Sequence, residues 1–235
     1  MKRLISIITI MIFAISGFII VAQNQIALFP SEGKAPDMNV IKSLADSKKY
    51  DKLMSRYMKN DPTLTLDEYR QVYFGYIFQE DYNPYSKKDY GEEIADLYYK
   101  QNLTRLECDS IIECAEKSLV EDPFNLEQMN YLIYAYNIKK KHNLAQYWQT
   151  RLINVLKAIL STGSGSSSEN AWYVIDIGHE YALINFIGHN YIIDKPTFIE
   201  PHFDFISLKK TNSNTPSGFY FNIKYPLENY NKRFN

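Results

Sequence analysis

Two cysteines in 235 residues, Cys108 and Cys114, exclude a disulfide framework. Six residues apart on one helix, they sit about 240° around the axis from each other and cannot bridge without unwinding it. They are expected as small buried apolar residues, not as a metal or redox pair. Catalytic signatures are also missing: there is no GxxxxGK[ST], Ser164 sits in GSG and not GxSxG, and HExxH is broken because Glu180 is followed by Tyr181, Ala182 and Leu183. Charge of one sign is lacking as well, with 26 Lys and Arg against 27 Asp and Glu, which excludes the electrostatic footprint of a nucleic-acid binder. The one sharp basic cluster, Lys139, Lys140 and Lys141 beside His142, reads as a solvated turn near a helix C-terminus, where the helix dipole favours cations.

Long apolar runs are confined to the start. Lys2 and Arg3 precede an uncharged stretch over residues 4–21 that ends at the small residue Ala22, the layout of a secretory signal peptide over residues 1–22. The stretch nearly reaches the roughly 20 residues that span a bilayer, so a retained anchor is the alternative to cleavage. Cleavage removes two bases and no acids, and leaves no membrane span. The expected location is secreted or periplasmic. Residues 23–36, with Pro30, Gly33 and Pro36 and little periodicity, form an extended leader.

Helix formers dominate residues 37–160. Thr65 with Glu68, Thr104 with Glu107, Asn125 with Gln128 and Asn143 with Gln146 each place a capping residue three positions before Glu or Gln. Asp61-Pro62, Asn83-Pro84 and Asp122-Pro123 supply stops. Apolar spacing predicts a first pair of helices over residues 38–49 and 52–59, with Leu53, Met54, Tyr57 and Met58 as the buried face of the second. A third runs from Thr65 through Tyr69, Val72, Tyr73 and Tyr76, and a fourth from Ser86 to about Gln101 with Ile94, Leu97 and Tyr98 inward. Three more carry Ile111, Ala115 and Leu119; Met129, Leu132, Ile133 and Tyr136; and Ala145, Trp148, Leu152 and Val155. Taking Leu126 as the first of 34 positions puts Leu132, Tyr136 and Ala145 at the seventh, eleventh and twentieth, which resembles the tetratricopeptide pattern. The two Asp-Pro stops lie 61 residues apart, so the hairpins are expected to be irregular.

Residues 161–170, STGSGSSSEN, read as a flexible link between halves. The alternative is an anion cradle through the backbone amides around Gly163 and Gly165. Beyond it, β-branched and aromatic runs over residues 171–177, 181–187, 191–193, 203–208 and 218–225 predict short antiparallel strands. In the last, Phe219, Phe221, Ile223 and Tyr225 share a face that the preceding helix would cover. The fold class expected is α+β: irregular tetratricopeptide-like helical hairpins over residues 37–160, then a small antiparallel sheet over residues 171–235 packed on the helices.

Two sets of residues carry candidate chemistry. Tyr69, Tyr73 and Tyr76 share one helix face and offer apolar area with a hydroxyl at its rim, suited to gripping a peptide; a tyrosine-rich core is the other reading. His179, Glu180 and His202 would be the ligands of a metal-assisted hydrolase, against the simpler reading of scattered turn histidines. No cofactor is expected.

The order of a signal segment, DEYRQVYFGYIF, AEKSLVEDPFNL, STGSGSS, AWYVIDIGHEYALINFIG and a closing GFYFNIKYP resembles a family of secreted bacterial proteins classed as a domain of unknown function. The resemblance implies export and a helix-then-sheet layout over nearly everything after the leader, and it brings no activity, cofactor or catalytic residue. That family's Gly-containing tract tends to include an acid, where this chain has Ser164 and Ser166. The expected function is a non-catalytic module binding a protein or peptide of the cell envelope, with an envelope-associated metal-assisted hydrolase as the alternative.

Overall fold

The structure, a computed structural model, describes residues 33–85, 92–100, 102–188 and 191–234. The signal segment over residues 1–22, the leader up to residue 32, the start of the fourth expected helix and His189 lie outside them. From residue 33 the chain is irregular until Asp37, whose carboxylate accepts from the Asn39 and Val40 amides and starts α1 (Met38–Ala45). Ser47 caps α2 (Lys48–Met58), so the first hairpin turns at Asp46 and Ser47, earlier than apolar spacing alone suggests. Capping boxes at Thr65/Glu68 and Thr104/Glu107 open α3 (Leu66–Gly75) and α4 (Arg105–Glu121), and the Asn125 side chain accepts from Gln128 N to open α5 (Leu126–Ile138). The fourth helix is a 3-10 segment, Glu92–Tyr99. The last long helix, α6 (His142–Leu160), starts at His142 with no side-chain cap, so the expected role of Asn143 is not filled.

These helices pack as neighbours, α5 against both α4 and α6, and α3 against α6, α1 and α2. One hydrophobic core runs from Ile41 and Tyr50 through Phe124, Leu132 and Leu156 to Ile206 and Phe221, so helices and sheet share an interior. A smaller core joins Ile94, Cys108, Ile111, Tyr131 and Ala135, with Tyr98 stacked on Tyr131 at 3.9 Å between ring centroids. Cys108 is buried there and Cys114 partly so. Arg151, 2% exposed, lies among Tyr57, Tyr147 and Trp148, its guanidinium 4.6 Å from the Trp148 ring, and donates to Met58 O and Tyr147 Oη. Packing of this kind ties α6 to the C-terminus of α2 with a buried cation.

The sheet is mixed: β1 (Trp172–Tyr173), β4 (Gly218–Asn222), β3 (Phe203–Lys209) and β2 (Ile192–Ile199) lie side by side in that order. β1 runs parallel to β4, while β4, β3 and β2 are antiparallel. The α+β class is as expected, but the sheet is mixed where an antiparallel one was expected, the run over residues 171–177 is a strand only at Trp172–Tyr173, and two further runs differ from the strands read in the sequence. Residues 181–187 belong to a helix, α7 (Gly178–Ile187): Asp176 Oδ1 accepts from Gly178 N at 2.6 Å, and His179, Glu180, Leu183 and Ile184 then form one buried helical stripe. β4 ends at Asn222, and Tyr225 sits on α8 (Lys224–Phe234) instead of continuing the strand.

Residues 161–170 are a packed turn, not a loose link. Gly163 O accepts from Trp172 Nε1, the Ser164 and Gly165 amides donate to Asn170 O, and Gly165 O accepts from Tyr220 N in β4. Lys34 N donates to Ser161 O, and Arg70 reaches both Lys34 O and Ser161 Oγ, fastening the leader to the same turn.

Candidate functional site

The α4–α5 turn, Asp122 to Asn125, is the hub around which the aromatic residues gather. The Phe124 ring is stacked by Tyr57 at 4.8 Å and met by Tyr73 and Tyr76 at 5.4 and 5.3 Å. A turn buried this deeply leaves carbonyls without water, and each must find a donor. Tyr76 Oη donates to Glu121 O, Tyr57 Oη to Pro123 O at 2.8 Å, and His179 Nε2 to Phe124 O at 3.0 Å. Because Phe124 O can only accept, Nε2 carries the proton and Nδ1 accepts from Tyr73 Oη at 2.7 Å. Tyr73 Oη in turn accepts from Ile175 N, and Tyr82 Oη donates to Ile175 O at 2.6 Å. Burial holds this imidazole neutral, pushing its pKa down to about 4.

That network places each expected site residue. Tyr73 is fully buried at 0% exposure, and Tyr69, buried beside Tyr57, bonds to Asn154. Neither lines an open groove: α3 turns its tyrosine face into the core because α6, α1 and α2 all pack on it. Tyr76 alone of the three reaches a cleft. The Gly163 and Gly165 region is not an anion cradle, since the amides at Ser164 and Gly165 are spent on Asn170 O and a Cβ at Gly163 would lie 2.2 Å from that oxygen.

The metal set does not assemble. Both ring nitrogens of His179 are engaged within the protein, His202 lies half-buried against the Phe203 ring, and among the described residues no group of three His, Cys, Asp or Glu is placed to hold a metal ion. Glu180 is instead sealed: it is 0% exposed and neither carboxyl oxygen has a hydrogen-bond partner. Burial raises its pKa far above the usual carboxylate value, and the nearby Asp204 and Asp176 raise it further. Those two are themselves pushed up to about 6 by burial, Asp176 despite the amide of Gly178. Asp122 is raised as well, first by burial and then by Asp176. Asp122, Asp176 and Asp204 thus lie near a neutral histidine and near Glu180, whose burial favours the uncharged carboxyl.

A groove of about 690 Å³ lies beside the hub, lined by Tyr76 and Pro123 among others. One wall is the α2 stripe Asp51, Met54, Ser55 and Met58, spaced i, i+3, i+4 and i+7. The C-terminal end of α4 also lines it with Val120 and Glu121, and Pro123 follows them. The chain after α3 closes the end with Tyr76, Gln79 and Asp81. Val120 is 74% exposed although apolar, and Met58 is exposed too. Met54 and Met58 reach the groove, Met54 while also packing on the core, and Tyr50, Leu53 and Tyr57 are the buried residues of α2, Tyr50 lining the groove as well. Sequence reading merged the two faces, although the i, i+3, i+4, i+7 spacing of Asp51 with Met58 was there to find.

The chain is thus an α+β fold of paired helices closed by a mixed sheet, with a groove beside its central turn and an inward-facing set of titratable groups. The chain belongs to the family described as a domain of unknown function, DUF4919, whose model matches residues 38–232. No curated protein and no solved structure matches it.

Proposed function

We propose that this chain is an exported, non-catalytic interaction module that binds a protein or peptide segment of the cell envelope in the groove between α2 and the end of α4. The observation that carries the reading is the groove itself: exposed Met58 and Val120 line one cleft together with Tyr76, whose ring meets Phe124 in the hub. Methionines adapt to varied partner side chains, and buried aromatics beneath hold the walls in place. Neighbouring helix pairs α4/α5 and α5/α6 support a tetratricopeptide-like relation, in which such clefts take extended partners. Export rests on Lys2, Arg3 and the uncharged run over residues 4–21. Among the described residues no helix is long and apolar enough to cross a membrane.

A random-sequence peptide library selected on the purified protein tests this. Peptides that bind are expected to lose binding to Val120→Arg, a change at an exposed position that fills the groove and leaves the fold intact. Selected peptides that bind Val120→Arg undiminished, or a library that yields none, would contradict it.

A further inference from the structure

Glu180 enters the core without a bond. Its neighbour His179 is held at both ring nitrogens, by Tyr73 and by Phe124 O, whereas both Glu180 carboxyl oxygens are buried with no partner. Nearby, β3 carries Asp204 on its core-facing side: Asp204 pairs with Phe221 and lies two positions from Ile206, both fully buried. Asp176 stands just before α7, and these two acids are the charged groups that act on Glu180. The phenols of Tyr85, in the chain after α3, and of Tyr181, on α7, feel its charge and supply no positive one. On the side of α5 lie Glu127, which feels Asp176, and Asp122, which feels Asp176 and His179. None of these groups is a base.

An ionised carboxyl buried without a donor and beside further acids is unfavourable, so the uncharged form and the seated helix go together. Once exposed to water, the same carboxyl ionises at its ordinary value of 4.5. Each pH unit above that value favours an opened α7 about tenfold more, until the buried carboxyl ionises in place. The helix itself is short, and Tyr181, Ala182, Phe186 and Ile187 on it are only partly buried. Such a segment can open at lower free energy than the whole fold.

We propose that Glu180 is a pH-operated latch: with its carboxyl protonated α7 stays seated in the core, and in alkaline solution α7 is released as a local unit ahead of the rest of the chain. Release withdraws His179 from Phe124 O, so the switch reaches the α4–α5 turn, whose Pro123 lines the groove.

Hydrogen exchange read by mass spectrometry on the purified protein tests this, with rates divided by the intrinsic amide rate at each pH. The window from about pH 7 to about pH 9 lies above the titration of Asp176, Asp204 and His179. Across it, amides of residues 178–187 are expected to lose protection about tenfold or more, and at its upper end to exchange at least about tenfold faster than those of α5. Glu180→Gln is expected to remove that loss. Glu180→Met, apolar and of similar length, takes its place if the buried amide keeps the first variant from folding. Equal protection of α7 and α5 at the upper end would overturn the latch, because the chain would then open as one. An undiminished loss in the Glu180 variant would overturn it as well, since another group would be sensing pH. Constant α7 protection across the window would do the same.

Discussion

Tyr73 shows how a residue can be correctly singled out for the wrong reason. Its spacing with Tyr69 and Tyr76 marks one face of α3, but that face is the interior one, and its hydroxyl serves as acceptor for Ile175 N and donor to His179. Tyr73→Phe is therefore expected to destabilise the fold by about 1–3 kcal/mol, the cost of leaving buried partners unpaired, as read from urea unfolding. Phe124→Ala, which empties the ring cluster, should cost about 3–5 kcal/mol in the same measurement. The titratable groups pull in opposite directions. Folded His179 takes its proton only near pH 4 against 6.5 for the unfolded ring, so its contribution is complete above 6.5 and is lost as pH falls toward 4. Asp176 and Asp204, raised from 3.8 to about 6, keep extra protons on the folded chain, so stability falls as pH rises through that window. Glu180 acts in the same sense, its carboxyl raised well above the ordinary value by burial. Glu180→Gln keeps the shape and removes the ionisable group, so its melting temperature should exceed wild type at pH 8 and converge with it below about pH 4.5, the ordinary glutamate range. A variant no more stable than wild type at pH 8 would mean that Glu180 has a partner in solution.

At the scale of elements, legibility followed local signals. Caps at Thr65, Thr104 and Asn125 and the Asp122-Pro123 stop are encoded within four residues, and the helices they bound form where they point. α7 was hidden because its β-branched and aromatic residues mimic a strand, and only the buried pairs His179/Glu180 and Leu183/Ile184, one helical turn apart, expose the helical period. Residues 161–170 look like a linker by composition, yet tertiary hydrogen bonds from Trp172, Tyr220 and Lys34 lock them, and no local rule foretells those. Gly165 has φ of +68° with the Trp172 ring 2.7 Å from where a Cβ would stand. Gly165→Ala should accordingly lower stability by about 1 kcal/mol or more, measured by denaturant unfolding, where a flexible link would show almost no change.

On the scale of the molecule, the α+β class and the helix-then-sheet order were readable because composition changes sharply after residue 160. The groove was not, since it is made by α2 and the far end of α4, elements more than 60 residues apart whose facing stripes are individually unremarkable. Two sides of one hub are distinct: a buried acid–histidine core that sets stability, and a groove proposed to meet a partner. Backbone amide NMR of the protein titrated with a peptide selected from the random-sequence library tests that separation most directly. The account predicts shifts concentrated at Asp51, Met54, Met58, Val120 and Glu121, with Glu180 and Asp204 unmoved. Shifts confined instead to the sheet, around Phe205 and Tyr220, would contradict it.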